Sequence, residues 1–233
     1  MTCTVTAMSS VSAYLNAPSG FTMRSRWSCD IPITDLCTYL FTSPTAPLSR
    51  TPVFLCADKP ETHNPSMHTY RSLVQRIARG LRAAGLQPGQ RVLVFSPNTV
   101  FYPALYLGIL AAGGVFTGAN PAYTAREVAF QLGNSGASFC IASAASIGVA
   151  VEAADLSALP RAKVYVFDDG LLLGSVAGGS GVDRWTTGAG AARAEFGVGH
   201  WSALVSDSDD FRWKVLATLD EVNQTAAINY SSG

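Results

Sequence analysis

The sequence has little charge and no excess of either sign. Charged side chains make up 14% of the 233 residues, and sixteen basic residues balance sixteen acidic ones. A neutral chain lacks the long-range electrostatic field with which proteins attract nucleic acids and anionic membranes. These partner classes are therefore excluded, and we expect the partners to be small molecules or proteins. A hydrophobic fraction of 48% also excludes a largely disordered chain.

Long apolar runs are absent too. No charged residue occurs between Arg91 and Arg126, but proline and glycine interrupt this stretch, and its best apolar run covers only residues 104–112. A helix needs about 20 consecutive apolar residues to cross a membrane. We therefore predict no membrane span and interpret the stretch as buried core.

Cysteine pairs and metal-ligand patterns are missing. The five cysteines form no CxxC pair, so we expect reduced thiols in a cytosol-like compartment. They are Cys3, Cys29, Cys37, Cys56 and Cys140. The three histidines, His63, His68 and His200, have no nucleophile or ligand at a recognised spacing, and we interpret them as hydrogen-bonded or solvated. The acidic turn Asp207–Asp210 lacks the glycine and final glutamate of a calcium loop, which favours a solvated turn.

From Tyr70 onward, patterns typical of helices and strands alternate. Leu73, Ile77 and Leu81 fall on one helical stripe, and Gly85 follows as a left-handed C-cap. Residues 92–95 are a continuous apolar run, typical of a parallel strand covered on both faces. The next predicted elements are a helix (TVFYPALYLGILAAGG), a strand (VFTG), a helix from the TARE capping box to about Ser135, a strand (SFCIA), a helix (146–158) and a strand (KVYVFDD). The alternation predicts an α/β fold with a doubly wound, mostly parallel sheet and flanking helices.

Two segments lack this periodicity. Residues 1–50 are rich in Ser, Thr and Pro and predict an irregular arm over the domain. Residues 170–200 contain nine glycines and predict a flexible surface insertion. Inside it, GAGAAR begins like a dinucleotide fingerprint, but Arg193 stands at the third glycine position and no strand precedes it, so we predict no NAD site. The stretches HWSALV and FRWKVLATL are then predicted to be ordered, and a final strand follows at Ala226–Tyr230.

Two stretches fall where an α/β sheet binds its ligands. Gly118–Tyr123 (GANPAY) follows a predicted strand, and it is either part of a binding crevice or an ordinary strand-to-helix turn. Ser231, Ser232 and Gly233 follow the final apolar strand. A strand that runs into small hydroxyl residues and glycine is typical of the start of a phosphate loop, because backbone N–H groups must closely approach the phosphate oxygens.

Several stretches together resemble one family. The run from RSLVQRIARGLRAAGLQPGQRVLVF to TAREVAFQLGNSGA is similar to the N-terminal subdomain of the adenylate-forming (AMP-binding) superfamily, closest to the 4-coumarate:CoA ligase-like acyl- and aryl-CoA synthetases. TAAINYSSG resembles the lead-in to their phosphate loop, which continues as SSGTTG and PKG. The resemblance covers about residues 23–233 and is most specific over residues 70–140. It implies a partial AMP-binding domain at 23–233, preceded by an extension at 1–22 that we expect to be disordered.

The resemblance implies a two-step reaction for a full-length protein. A carboxylate attacks ATP to give an acyl-adenylate and pyrophosphate, and the CoA thiol then displaces AMP. A small carboxylic acid, ATP, Mg²⁺ and CoA are thus the implied substrates and cofactors. Among the family's site residues, only Ser231, Ser232 and Gly233 have counterparts here, at the start of the ATP phosphate-binding loop. No catalytic or metal-binding residue is assigned to this chain.

Two hypotheses about the chain remain open. In the first, it is the N-terminal fragment of an acyl- or aryl-CoA ligase, inactive by itself and without tight binding of ATP, Mg²⁺ or CoA, and coding sequence for TTG and PKG follows Gly233. In the second, it is a non-catalytic ligase-like protein that acts through protein–protein binding. The cytoplasm is the default location, and a full-length form with a C-terminal peroxisomal tripeptide would be peroxisomal; SSG is not such a signal.

Overall fold

The computed structural model describes residues 32–42, 46–169 and 196–231, together with the backbone of residues 171–174 and 184–187. The predicted extension at 1–22, most of the glycine-rich segment and the GAGAAR stretch lie outside these residues, so the expectations for them stay predictions. None of the described helices is long and apolar enough to cross a membrane.

Helices and strands alternate along most of the described chain. In chain order the elements are α1 (Leu36–Phe41), α2 (Met67–Ala83), β1 (Arg91–Phe95), α3 (Tyr102–Ala111), β2 (Val115–Ala119), α4 (Ala125–Ser135), β3 (Ala137–Ser143), α5 (Ile147–Ser157), β4 (Val164–Phe167), β5 (Leu171–Gly174), β6 (Arg184–Thr187), β7 (Gly199–His200), α6 (Leu219–Val222) and β8 (Ala227–Ile228). From α2 to β4 this is the predicted order of elements.

Six of the described strands form one parallel sheet in the order β7, β4, β3, β1, β2, β8. The central strand β1 pairs with β2 on one side and with β3 on the other. The chain runs through α3 from β1 to β2, and through α4 it returns across β1 to reach β3. This reversal of direction marks a doubly wound sheet and confirms the predicted fold class. Strands β5 and β6 form a separate antiparallel pair.

Both faces of the sheet are covered, which explains the continuous apolar run of β1. Val92 and Val94 face a hydrophobic cluster that includes residues of α2 and α3. Leu93 and Phe95 face a second cluster with residues of α4 and α5. All four side chains are fully buried. A strand covered on only one face would have needed alternating polar residues instead.

The helix predicted from Tyr70 onward is α2, which begins three residues earlier. Ser66 caps its first turn by accepting a hydrogen bond from a backbone N–H. The helix ends as predicted: Gly85 has φ +96°, and Leu86 N donates to Leu81 O at 2.9 Å. This C-terminal pattern needs a left-handed residue, and glycine adopts that conformation without a steric penalty.

The predicted first-turn position of Pro103 and the predicted bounds of α4 are confirmed, whereas α3 (Tyr102–Ala111) is three residues shorter at each end than the predicted segment 99–114. Pro103 lies in the first turn of α3, where its missing N–H leaves no hydrogen bond unmade. The capping box of α4 is present, with Thr124 N donating to Glu127 Oε2 at 2.7 Å. Gly136 ends the helix in the left-handed conformation at φ 61°.

The described part of the N-terminal arm contains a helix that the sequence pattern missed. Residues 1–50 predict an irregular segment, but α1 lies within it. Asp35 caps this helix by accepting a hydrogen bond from Thr38 N at 2.8 Å. Cys37 and Phe41 of α1 are buried in the core. Six residues are too few for a helical period to stand out, so the prediction was wrong here.

The last strand is shorter than predicted. The apolar run indicated a strand at Ala226–Tyr230, whereas β8 comprises only Ala227–Ile228, paired with Phe116–Thr117 of β2. Within the described residues, β8 is the outermost strand of the sheet, so hydrogen bonds reach it from one side only.

The acidic turn Asp207–Asp210 is not simply solvated, as the sequence suggested. Asp209 accepts a hydrogen bond from Ser72 Oγ at 2.7 Å. Asp210 forms an ion pair with Arg79. Both partners belong to α2, so the turn fastens the segment after β7 to that helix. Asp207 and Asp210 are exposed, as a solvated turn requires, but the contacts with α2 were missed because these partners lie more than a hundred residues away in sequence.

Candidate functional site

Gly118–Tyr123 and Ser231, which the sequence analysis proposes for ligand binding, lie at the same edge of the sheet. β2 and β8 are parallel neighbours, with Phe116–Thr117 paired to Ala227–Ile228. Gly118–Tyr123 continues from β2, and Ser231 follows β8 by three residues. Since the carboxyl ends of parallel strands meet at one edge, the structure places Ser231 at the same edge as Gly118–Tyr123.

Side chains of α4 hold the ends of both strands. Tyr230 Oη donates a hydrogen bond to Asn134 Oδ1 at 2.7 Å. Gln131 is buried, and its Nε2 donates to Thr117 Oγ1 at 2.9 Å and to Gly118 O at 3.0 Å. Sequence reasoning missed these contacts, because polar residues on a helix face do not reveal their partners. The helix thereby fixes the residue that directly precedes the predicted phosphate loop.

The predicted loop residues are described only in part. Ser231 is exposed at the carboxyl edge of the sheet, directly after Tyr230. Ser232 and Gly233 lie outside the described residues. An exposed hydroxyl and backbone N–H at the end of a parallel strand suit a phosphate oxygen, because both groups donate hydrogen bonds. Ser231 therefore fits the start of such a loop.

The GANPAY stretch forms a turn that satisfies its own polar groups. Asn120 Oδ1 accepts a hydrogen bond from Ala122 N at 3.0 Å, and Tyr123 N donates to Asn120 O at 2.9 Å. Asn120 and Pro121 are exposed. This geometry is that of an Asx turn that leads into α4. The observation favours the strand-to-helix turn over the binding crevice.

Two buried histidines lie at the carboxyl end of β4. His63 Nε2 is 2.6 Å from Asp169 O and donates its proton there. His200 Nε2 is 3.0 Å from Asp168 Oδ2, and its Nδ1 accepts a hydrogen bond from Ser202 N at 3.2 Å. Both rings thus have polar partners, which confirms their interpretation as hydrogen-bonded side chains. Together they fasten the segment that follows β4.

The same cluster contains the residue types of a nucleophile, base and orienting acid. Ser202 Oγ is 2.8 Å from His200 Nδ1, and Asp168 lies at the other ring nitrogen. However, His200 is only 3% exposed, and its Nδ1 also caps the short 3₁₀ helix Trp201–Leu204. A substrate has no access to the ring. We interpret the cluster as structural, and Asp168 is too far from His200 and Ser202 in sequence to have been paired with them beforehand.

The described residues contain no metal centre and no disulfide. No group of three His, Cys, Asp or Glu side chains that could hold a metal ion occurs in them. Cys37, Cys56 and Cys140 are free thiols, as expected. Burial raises the pKa of Cys140 to about 12, so its thiol stays protonated at neutral pH. Cys140 is therefore a core residue and not a nucleophile.

Comparison with known proteins supports the sequence resemblance. The family model for the AMP-binding enzyme matches residues 52–233, which include β8 and the predicted loop residues. The chain belongs to the AMP-binding enzyme family. Phenylacetyl-CoA ligase epaB of Aspergillus niger is 30% identical over 207 residues, or 88% of this chain and 34% of the relative. Acyl-CoA ligase azaF, also of Aspergillus niger, is 31% identical over 78% of this chain and 30% of the relative.

Other matches agree with this assignment. A 4-coumarate–CoA ligase-like protein of Oryza sativa is 43% identical over 67 residues, or 29% of this chain and 12% of the relative. The crystal structure of apo MatB from Rhodopseudomonas palustris matches the fold with a TM-score of 0.59 and 23% identity, over 85% of this chain and 32% of that one. This member of the AMP-binding enzyme family thus spans about a third of the length of the two Aspergillus niger relatives.

Proposed function

We propose that this chain is the N-terminal part of an ATP-dependent acyl- or aryl-CoA ligase. Such an enzyme adenylates a small carboxylic acid and then transfers the acyl group to CoA. The observation that carries the proposal is the family match, which runs from residue 52 through Gly233 and so includes the residues proposed to begin the phosphate loop. The covered share of the relatives, about a third, supports the assignment to a part of such an enzyme.

The role proposed for this chain is to present the beginning of the phosphate loop. Ser231, with Ser232 and Gly233 after it, would hold ATP phosphate oxygens through hydroxyl and backbone N–H groups. The bond from Tyr230 to Asn134 supports this role, because it fixes the strand end from which the loop starts. Bound Mg²⁺ would supply neutralisation of the phosphate charge, and no group of this chain is assigned to that ion.

The first test is a pyrophosphate-release assay on the purified 233-residue protein with ATP, Mg²⁺ and a panel of aryl and acyl carboxylates. We expect no release above background, because among the site residues that the resemblance implies only Ser231, Ser232 and Gly233 have counterparts in this chain. ATP-dependent turnover by the isolated chain would overturn this part of the proposal.

A second test addresses the protein from which the chain comes. Transcript sequencing through the codon for Gly233 should reveal a reading frame that continues into TTG and PKG. A stop codon at that point would contradict the ligase proposal and favour a non-catalytic role for the natural product.

A further inference from the structure

A cavity of about 700 Å³ lies at the opposite edge of the sheet from Ser231. Its lining includes Gly114, which directly precedes β2, and Ala226, which directly precedes β8. The cavity therefore opens at the amino ends of these strands. Ser231 lies five positions after Ala226, which corresponds to roughly 16 Å of extended chain at about 3.3 Å per residue. The cavity and the proposed phosphate loop are thus separate places on the molecule.

Most of the cavity wall is apolar and firmly held. The large apolar side chains in the lining are Leu36, Leu110, Phe211, Trp213, Leu216 and Val222. Trp213 is fixed by its Nε1, which donates to Thr38 Oγ1 at 3.0 Å, and by the Phe41 ring at a centroid distance of 6.2 Å. A cavity of this volume, with apolar walls and few polar groups, is typical of small-molecule sites.

Among the charged side chains that line the cavity, Arg82 has hydrogen-bond donors left for a ligand. Asp35 and Lys214 are both engaged: the carboxylate accepts hydrogen bonds from Thr38 N and Oγ1, and the ammonium lies 2.7 Å from Glu221. Arg82 is half-buried, and its Nη1 donates to Leu86 O at 3.0 Å. Within the described residues this is its only hydrogen bond, so Nε and Nη2 retain their donors for a ligand.

Cys37 also lines the cavity, but its thiol offers a ligand no second charged group to bind. Burial, reinforced by the charge of Asp35, raises the pKa of Cys37 to about 12. Its Sγ donates to Leu107 O at 3.5 Å. The neutral thiol behaves as a small apolar group, so the wall around Arg82 stays apolar.

We propose that this cavity binds a carboxylic acid with an apolar chain or ring, its carboxylate on the Arg82 guanidinium and its apolar part against Trp213. The guanidinium donates in a planar fork that matches a carboxylate, and the bond to Leu86 O already orients it. The apolar walls supply the area that such a ligand buries. This site goes beyond the ligase proposal, because it needs neither ATP nor the phosphate loop.

The test is calorimetric titration of the 233-residue protein with octanoate, and with octanamide as the uncharged analogue. We expect saturable octanoate binding at one site and octanamide binding at least about tenfold weaker. Arg82→Gln should weaken octanoate binding about tenfold or more. The matched control is Arg79→Gln, one turn earlier on α2, where the side chain is exposed and pairs with Asp210; binding should stay within twofold of wild type.

A second variant guards against misfolding of Arg82→Gln. Thr225→Trp places a large ring in the lining and leaves residue 82 unchanged, and it should abolish octanoate binding while the circular dichroism spectrum is retained. Equal affinity of wild type and Arg82→Gln, or of octanoate and octanamide, would overturn the proposal. So would a dimer in sedimentation together with no saturable octanoate binding, because the apolar walls would then be covered by a second copy.

Discussion

At the scale of single residues, Glu221 illustrates how one carboxylate organises a short segment. Its Oε1 lies 2.7 Å from Lys214 Nζ, and its Oε2 accepts hydrogen bonds from Ala217 N at 3.0 Å and Thr218 N at 3.3 Å. The Lys214 hydrogen bond, followed by that from Ala217, lowers the pKa of Glu221 to about 2. The carboxylate thus stays ionised well below neutral pH and holds the N-terminus of α6.

The Glu221 pKa predicts a pH dependence of stability. Because the folded pKa of about 2 is below the ordinary value of 4.5, the stabilisation is fully present above about pH 4.5 and is lost as the pH falls toward 2. Glu221→Gln should therefore lower the midpoint of thermal unfolding at pH 7. The difference in midpoint between wild type and variant should become smaller between pH 5 and pH 3. A difference that stays constant over this range would contradict the lowered pKa of Glu221. Asp220→Asn, which removes a neighbouring carboxylate, is the control.

Which residue contacts could be predicted depends on their separation in sequence. The Thr124–Glu127 capping box was readable because both partners lie within one helical turn. The pair of Asp168 and His200 was not, since the fold alone brings these residues together. The same holds for the Tyr230–Asn134 bond beside the candidate site. Sequence reasoning therefore proposes Ser231 as the start of a phosphate loop, but it did not predict that α4 holds the preceding residue.

At the scale of secondary-structure elements, α2 packs very closely on the 3₁₀ helix Trp201–Leu204. A Cβ atom added at Gly80 of α2 would lie 2.1 Å from the backbone oxygen of Leu204. With a Cβ atom at this position, the backbones of Gly80 and Leu204 could not both keep their places. The glycine at this position is thus required by the approach of the two elements and not by its own backbone conformation.

This contact predicts a large difference between two Gly→Ala substitutions. Gly80→Ala should destabilise the protein by about 3 kcal/mol or more, because one element must move away from the other. Gly133→Ala in α4 meets nothing within 4 Å and should be neutral or stabilising by up to about 1 kcal/mol. Urea unfolding of both variants gives the comparison. Similar free energies of unfolding for Gly80→Ala and Gly133→Ala would contradict the close approach of α2 to the 3₁₀ helix.

Elements with a strong period were predicted well, and short ones were not. The apolar stripe of α2 and the continuous run of β1 each extend over enough residues to identify the element. In contrast, α1 has six residues, and its burial depends on Cys37 and Phe41 reaching a core built mainly by later segments. The length of β8 depends on which strands lie beside it, which its own residues do not encode.

At the scale of the whole molecule, two opposite edges of one sheet carry different proposed roles. The carboxyl edge presents Ser231 after β8, supported by side chains of α4. The amino edge holds the cavity around Arg82. Fold class and family were readable from the sequence, because the alternation of elements and the quoted motifs extend over most of the chain. The cavity was not, since its walls come from segments between Thr34 and Ala226 that only the fold assembles.

The most direct test of the central claim joins this chain to the remainder of a relative. A fusion of residues 1–231 to the part of the Aspergillus niger phenylacetyl-CoA ligase epaB that follows the corresponding position should catalyse phenylacetate-dependent exchange between ATP and pyrophosphate. The intact relative is the positive control, and the isolated 233-residue chain is the negative one. Exchange clearly above that of the isolated chain is the predicted result. A fusion that folds, as judged by circular dichroism and a cooperative thermal transition, but gives no exchange would contradict the claim that this chain forms the N-terminal part of a CoA ligase.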